Sequence, residues 1–327
     1  MLAVILAGCA AKKPPAALPS IPPPSPTPPM PAPTGPALTS SMAALPHFLM
    51  SMAGNFNDYS VSAIEGQDLD NASKPVALLS GAPMTAGDAL YSPQLSHHRT
   101  KVVYVEAPAQ ALASSSNDGG GNVVVQNVDG TGAKVLATGD NVSPTWSPDD
   151  SQIAFVRSGV LWLMNADGSN PHALGLSINV DYYLAWSPDG SELAVASGDP
   201  SQIQLVNLAT KAVTSVAGAS EEDSPAWSPD GKHLAFSEQL TSSLYLAPVS
   251  GGTVGSAVEL TSCTNPCLRD TEPAFSPDGA LIAFVRFQPS GSGPGAVGEE
   301  QVWVVPVAGG APHQVTDGPQ EHAFPSW

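Results

Sequence analysis

Three carboxylates, Asp181, Glu222 and Asp270, each stand five residues ahead of an aromatic, at Trp186, Trp227 and Phe275. Asn141 and His322 hold the same place ahead of Trp146 and Trp327. Carboxylates recurring at one register of a repeat can form a ring, and a ring of oxygens suits Ca²⁺, which takes about 6–8 oxygen ligands. A solvated acidic rim accounts for the same residues with no ion at all. Further acids cluster in sequence at Glu221, Glu222 and Asp223, at Glu299 and Glu300, and at Glu321. These six are the candidate contacts to a partner, and their charge favours a basic protein or a cation.

The remaining reactive side chains are few. Cys263 and Cys267 bracket Thr264-Asn265-Pro266. An Asn-Pro turn can bring their α-carbons within disulfide range. A disulfide is the expected state in an oxidising compartment. A zinc site needs two more ligands, and no histidine lies near in sequence. His97 and His98 are the paired histidines, and they read as a turn variant. No Gly-x-Ser-x-Gly elbow occurs, so the nucleophile of an α/β-hydrolase is missing. A polysaccharide lyase or hydrolase remains an alternative; a glycosidase would need two carboxylates about 5–10 Å apart. No catalytic residue and no cofactor are assigned beyond the possible Ca²⁺.

The elements that must position these residues come from a repeat. Ser224-Pro225-Ala226-Trp227-Ser228-Pro229-Asp230-Gly231 leads into Leu234-Ala235-Phe236. Close copies surround Trp146, Trp186 and Phe275, a worn copy surrounds Leu95, and a last one ends at Trp327. Ser-Pro-Asp-Gly is a tight turn, with Pro presetting φ and Gly taking the left-handed conformation. Asp150 replaces that Gly in one copy, and His97-His98-Arg99 replaces Pro-Asp-Gly in the worn one. A second hairpin follows each first one, so each unit is four short strands. Such sheets cannot bury both faces alone and stack radially. The aromatic of the first strand fills the space between blades, and Trp227→Ala is expected to cost about 3–5 kcal/mol. The aromatics or their stand-ins fall at 95, 146, 186, 227, 275 and 327. Residues 46–81 supply three strands with no first strand, and 322–327 supply a first strand with nothing after it. The expectation is an all-β, six-bladed β-propeller, closed by strand 322–327 pairing with the N-terminal blade. Closure removes exposed strand edges.

Residues 1–9 are apolar and end in Leu6-Ala7-Gly8-Cys9. They resemble an incomplete bacterial lipoprotein signal, with Cys9 as the lipid attachment site. Residues 10–46 hold thirteen prolines and two charges, so 10–45 reads as a disordered, extended tether reaching at most about 110 Å at about 3.1 Å per residue. Residues 46–327 form the propeller. The stretch 58–327 carries twenty-nine acidic and nine basic residues, a net charge of −20. That excludes nucleic acid as a partner, because phosphate contacts need Lys and Arg. No further stretch of about 20 apolar residues appears, so any membrane contact is through the lipid alone. Two loops between second and third strands are long, 107–121 and 288–300, and they point to one rim as the binding face.

Trp-Ser-Pro-Asp-Gly followed by a Leu/Ile-Ala-Phe strand resembles the WD40-like repeat of TolB-type periplasmic propellers. Val315-Thr316-Asp317-Gly318 leading to Phe324-Pro325-Ser326-Trp327 fits that family's junction between blades. The resemblance implies a monomeric, non-catalytic platform in the bacterial cell envelope that binds other envelope proteins, basic or peptidoglycan-associated. Taken with Cys9, it implies a periplasm-facing lipid anchor in the outer membrane, with the cell surface as the alternative. The Pro-rich tether stands where TolB has a separate α/β domain, so the chain is TolB-like and not TolB itself. Small-ligand or Ca²⁺ binding at the channel mouth is the alternative function.

Overall fold

The computed structural model describes residues 47–55, 60–71, 76–79, 88–108, 120–198, 200–216, 222–264, 267–289, 298–317 and 320–327. The signal, Cys9, the tether and Glu221 lie outside the described residues, as do the central parts of both long loops.

Apart from one short 3-10 turn, Leu69–Asn71, the described regular structure is antiparallel strand. Five hydrogen-bonded sheets form around a central channel, making a β-propeller. The first sheet runs Glu321–Ser326, Phe48–Asn55, Ser60–Asp68, Val76–Leu79. Its innermost strand is therefore the last of the chain, with Met50 opposite Ser326 and Ala53 opposite His322. The third sheet starts on Val180–Trp186, the fourth on Glu222–Trp227 and the fifth on Arg269–Phe275.

The second sheet has seven strands because Lys134–Trp146 runs unbroken for 13 residues. Its first half pairs with Gly121–Asn127 and its second half with Gln152–Arg157. The sheet also packs on itself: Val103, Val123 and Val125 from one half meet Trp146, Ile153 and Phe155 from the other.

The apolar core is spread over the contacts between successive sheets. Val156 and Leu163 meet Leu184 and Val195; Ala196 and Leu205 meet Leu234 and Phe236; Leu244 meets Phe284; Leu49 meets Val302. Two tryptophans tie neighbouring sheets through their ring nitrogens, Trp186 to the Thr145 carbonyl at 3.3 Å and Trp327 to that of Ala274 at 2.9 Å.

The turn chemistry is local and repeated. In each full copy the serine hydroxyl donates to the Asp carboxylate two residues on, as Ser228 does to Asp230 at 2.7 Å. The same carboxylate accepts the N–H beyond the turn, from Lys232 at 3.0 Å. The last turn position has positive φ, 69° at Gly231, 57° at Asp150 and 54° at Arg99.

Candidate functional site

Each inner strand breaks its ladder next to the channel. The register shifts between Tyr91 and Gln94, Val142 and Thr145, Asp223 and Ala226, and Thr271 and Ala274. In these four strands proline causes the break, since it has no N–H to give the ladder and is confined to bulges inside a sheet; Val180–Trp186 shifts between Val180 and Leu184 without one. The residue before each proline takes positive φ: Ser92 49°, Ser143 50°, Ser224 51°, Glu272 54° and Phe324 52°. These residues and their prolines, with Tyr183, line a cavity of about 110 Å³.

Two of the lining side chains span that cavity. Tyr183 donates its hydroxyl to Glu272 Oε1 at 3.3 Å. Its strand belongs to the third sheet and Glu272 to the fifth, with Glu222–Trp227 packed between them. Glu272 Oε2 accepts the Phe324 N–H at 2.7 Å. Burial raises Glu272 to about 7, although the Phe324 N–H, Arg269 and Tyr183 pull it down. Glu300 is raised to about 8, first by burial and then by the charges of Glu272 and Glu321. Burial, followed by Glu272, pushes Tyr183 well above its ordinary value.

One guanidinium serves this group. Arg269 Nη2 lies 3.5 Å from Asp223 Oδ2 and donates to Thr271 Oγ1 at 3.2 Å. Asp223 also accepts from Ser224 at 2.9 Å, from Gln239 at 3.0 Å and from Ser237. The cluster therefore joins four acids, Asp223, Glu272, Glu300 and Glu321, around Arg269. It can take up protons near neutrality and attract a positively charged group.

The carboxylates five residues ahead of the aromatics take other places. Asp270 receives both Nε and Nη2 of Arg286 at 2.6 Å. Arg286 in turn lies over the Phe284 and Trp303 rings, 5.4 and 5.0 Å from their centres. Glu222 Oε2 accepts the Ile203 N–H at 3.3 Å, and Asp181 accepts from the Ser201 hydroxyl at 3.1 Å. Among the described residues these three acids do not come within joint ligating distance; the one triad that does is Cys263, Cys267 and Asp270. Of the six candidate partner contacts, Asp223, Glu300 and Glu321 share the channel cluster. Glu299 is opposite Gln288 on a neighbouring strand.

The sequence marks Glu272 only as one more acid of the channel-mouth loops, and it does not single out Tyr183 or Arg269. The available signal was the position three residues ahead of each aromatic, a serine at 92, 143 and 224 but Tyr183, Glu272 and Phe324 in the other copies.

On the rim above the cluster, Cys263 and Cys267 form a disulfide with α-carbons 5.2 Å apart. Leu268 follows directly and is 53% exposed; Leu240, in the loop after His233–Glu238, is 67% exposed. The two loops are joined, because the Asp270 N–H donates to the Ser242 carbonyl at 2.9 Å. Burying either leucine in a partner would recover apolar surface now lost to water.

Residues 158–327 match the family model described as the TolB beta propeller domain. A search of curated protein sequences returns no match. Among solved structures, TolB from Acinetobacter baumannii is similar at TM-score 0.66 and 18% identity, over 86% of this chain and 66% of that one. A candidate TolB from Agrobacterium tumefaciens gives 0.58 and 17%, over 83% and 90%. A nidogen/laminin complex gives 0.58 and 10%, over 85% and 97%. At these identities the likeness is one of fold.

Proposed function

This chain belongs to the TolB beta propeller domain family, and from that premise we propose that it is a non-catalytic platform for an envelope protein. The observation that carries the reading is the pair of exposed leucines, Leu240 and Leu268, on loops braced by the Cys263–Cys267 disulfide. An apolar pair over an acidic channel mouth is suited to a basic partner that also brings apolar side chains. We read the seven-stranded sheet as two blades, a reading supported by the packing of its halves against each other, which makes six in all. In this reading Cys9 carries the lipid and residues 10–45 form the tether, and the propeller works as a monomer in the periplasm at the outer membrane.

The test is capture from solubilised envelopes by the full chain and by a Leu240→Asp, Leu268→Asp variant. The expected result is one envelope protein recovered by the first and lost with the second, at unchanged melting temperature. Equal recovery by both would reject this face as the binding surface.

A further inference from the structure

The position five residues ahead of an inner-strand aromatic pairs with the second strand of its own sheet. In the fifth sheet Asp270 stands opposite Arg286, and in the second Asn141 stands opposite Arg157. Both pairs are bonded, Arg157 Nε to Asn141 Oδ1 at 2.8 Å. In the fourth sheet the same register sets Glu222 opposite Glu238. A second carboxyl thus stands where the other two sheets have a guanidinium. Glu222 is 0% exposed and Glu238 2%. Directly opposed residues share a face, and two acids removed from water together resist double ionisation.

The two carboxyls are bonded differently. Glu238 Oε1 accepts the Leu240 N–H at 3.1 Å and Oε2 the Thr241 N–H at 2.8 Å. Both its oxygens act as acceptors, which suits the ionised form, and together they shape the loop that presents Leu240. Glu222 uses only Oε2, toward Ile203. Its Oε1 is buried with no partner, so a proton can sit there without breaking a bond. Burial raises Glu222 to about 7; the Ile203 N–H opposes that and the Glu238 charge adds to it.

No nearby cation offsets the pair. Gln202–Asn207 presents no charged side chain. Val180–Trp186 offers Asp181, which is held by Ser201, and the Ser201 carbonyl accepts the Glu222 N–H at 3.0 Å. On Arg269–Phe275, Arg269 is engaged with Asp223 and Asp270 with Arg286. Among the described residues no basic side chain pairs with Glu222 or Glu238.

We propose that Glu222 and Glu238 form a proton-operated latch on the 239–242 loop. With Glu222 protonated, ionised Glu238 is unopposed and holds Leu240 in place. When Glu222 loses its proton, the second buried charge drives Glu238 and its loop outward. A pH-dependent hold on the partner would follow, and only that consequence rests on the function proposed above.

The latch is tested on the full chain alone, so its outcome is independent of any partner. Hydrogen exchange at the Leu240 and Thr241 amides is measured from pH 5.5 to 8.5 and expressed as protection, which divides out the intrinsic pH dependence of exchange. Protection in the wild type is expected to fall about tenfold by one pH unit above the midpoint. Glu222→Gln, nearly identical in shape, is expected to hold its protection throughout, and Glu238→Gln to lack protection at every pH. A flat wild-type profile, or the same fall in Glu222→Gln, overturns the proposal. So does a Glu222 carboxyl carbon resonance in the wild type that titrates near the ordinary glutamate value, a readout that needs no variant.

Discussion

The Asp150 carboxylate accepts the backbone N–H of His98 at 2.9 Å, with Asp150 and His98 each replacing the usual residue of its own turn. The same carboxylate takes the His97 N–H at 2.8 Å and His98 Nδ1 at 2.7 Å. Asp150 sits in a glycine position at φ 57°, and His97-His98-Arg99 sits where Pro-Asp-Gly would be. Each departure from the repeat is thus compensated by the other, across the two halves of the seven-stranded sheet. Asp150→Gly relieves the backbone but removes these bonds. A net loss of about 2 kcal/mol is expected, since each of the three bonds is worth about 1 kcal/mol and a left-handed non-glycine costs about the same as one of them. Burial alone would raise the Asp150 pKa, but the His98 N–H, the His98 ring and the His97 N–H outweigh it and leave the value lowered. A depressed acid stabilises above its unfolded pKa and loses that contribution as pH falls through the folded value. The wild type should therefore lose its advantage over Asp150→Gly below about pH 4. Denaturant melts at pH 7 and pH 3 check this; a constant difference would refute it.

Arg269 should matter more at high pH than at low pH. It pulls down Glu272 and Glu300, which nonetheless sit at about 7 and about 8. Acids raised on folding hold protons that the unfolded chain has released, so stability falls as pH rises from about 4.5 through these values. Arg269→Met pushes both higher and steepens the fall. The expected outcome is a larger drop in melting temperature at pH 8.5 than at pH 6, read by calorimetry. Equal drops at both would mean that the guanidinium acts on Asp223 alone.

The inter-sheet tryptophans should differ in weight. Trp146 is 1% exposed and packs between the two halves of the second sheet. Trp227 is less completely buried, though it packs on the core between the third and fourth sheets, so the larger cost is expected at Trp146. Trp146→Ala should cost about 3–5 kcal/mol, and Trp227→Ala distinctly less. Chemical denaturation of the two variants side by side decides it, and a Trp227 loss as large as that of Trp146 would contradict the packing seen here.

What could be read in the sequence was whatever is fixed locally. Ser228 and Asp230 build their turn from neighbours two residues apart, so the hairpins are legible. The repeat also exposes the closing strand, because Phe324-Pro325-Ser326-Trp327 copies a first strand, and the strand that contains it pairs with Phe48–Asn55. Cys263 and Cys267 are close enough in sequence for their bond to be foreseen. The channel wall was not legible. Their shared register in the repeat points the acids at 181, 222 and 270 to the channel mouth, but a bulge in each inner strand, at a proline in all but Val180–Trp186, changes which side chains line it. Tyr183, Glu272 and Phe324 face the cavity instead, and Asp270 goes to Arg286. Which second-strand residue meets Asp270 or Glu222 is a long-range matter that no local pattern encodes.

The disulfide should govern the rim more than the fold. It closes a loop of a few residues, for which the chain-entropy effect is about 2 kcal/mol. Cys267 Sγ lies 3.5 Å from Asp270 Oδ1, but that carboxylate is held by two bonds from Arg286, and the inter-sheet core is built elsewhere. Leu268, however, follows Cys267 directly, and its loop is tied to the one bearing Leu240 through Ser242 and Asp270. Cys263→Ser with Cys267→Ser should therefore keep the propeller folded while freeing Leu268. The expected result is a modest fall in stability, with faster amide exchange confined to residues 262–268 and 239–242. Reduction of the wild type should give the same pattern, and the double variant should no longer respond to reductant. Exchange that quickens throughout the fifth sheet would instead show that the bond holds the strand Arg269–Phe275 in place.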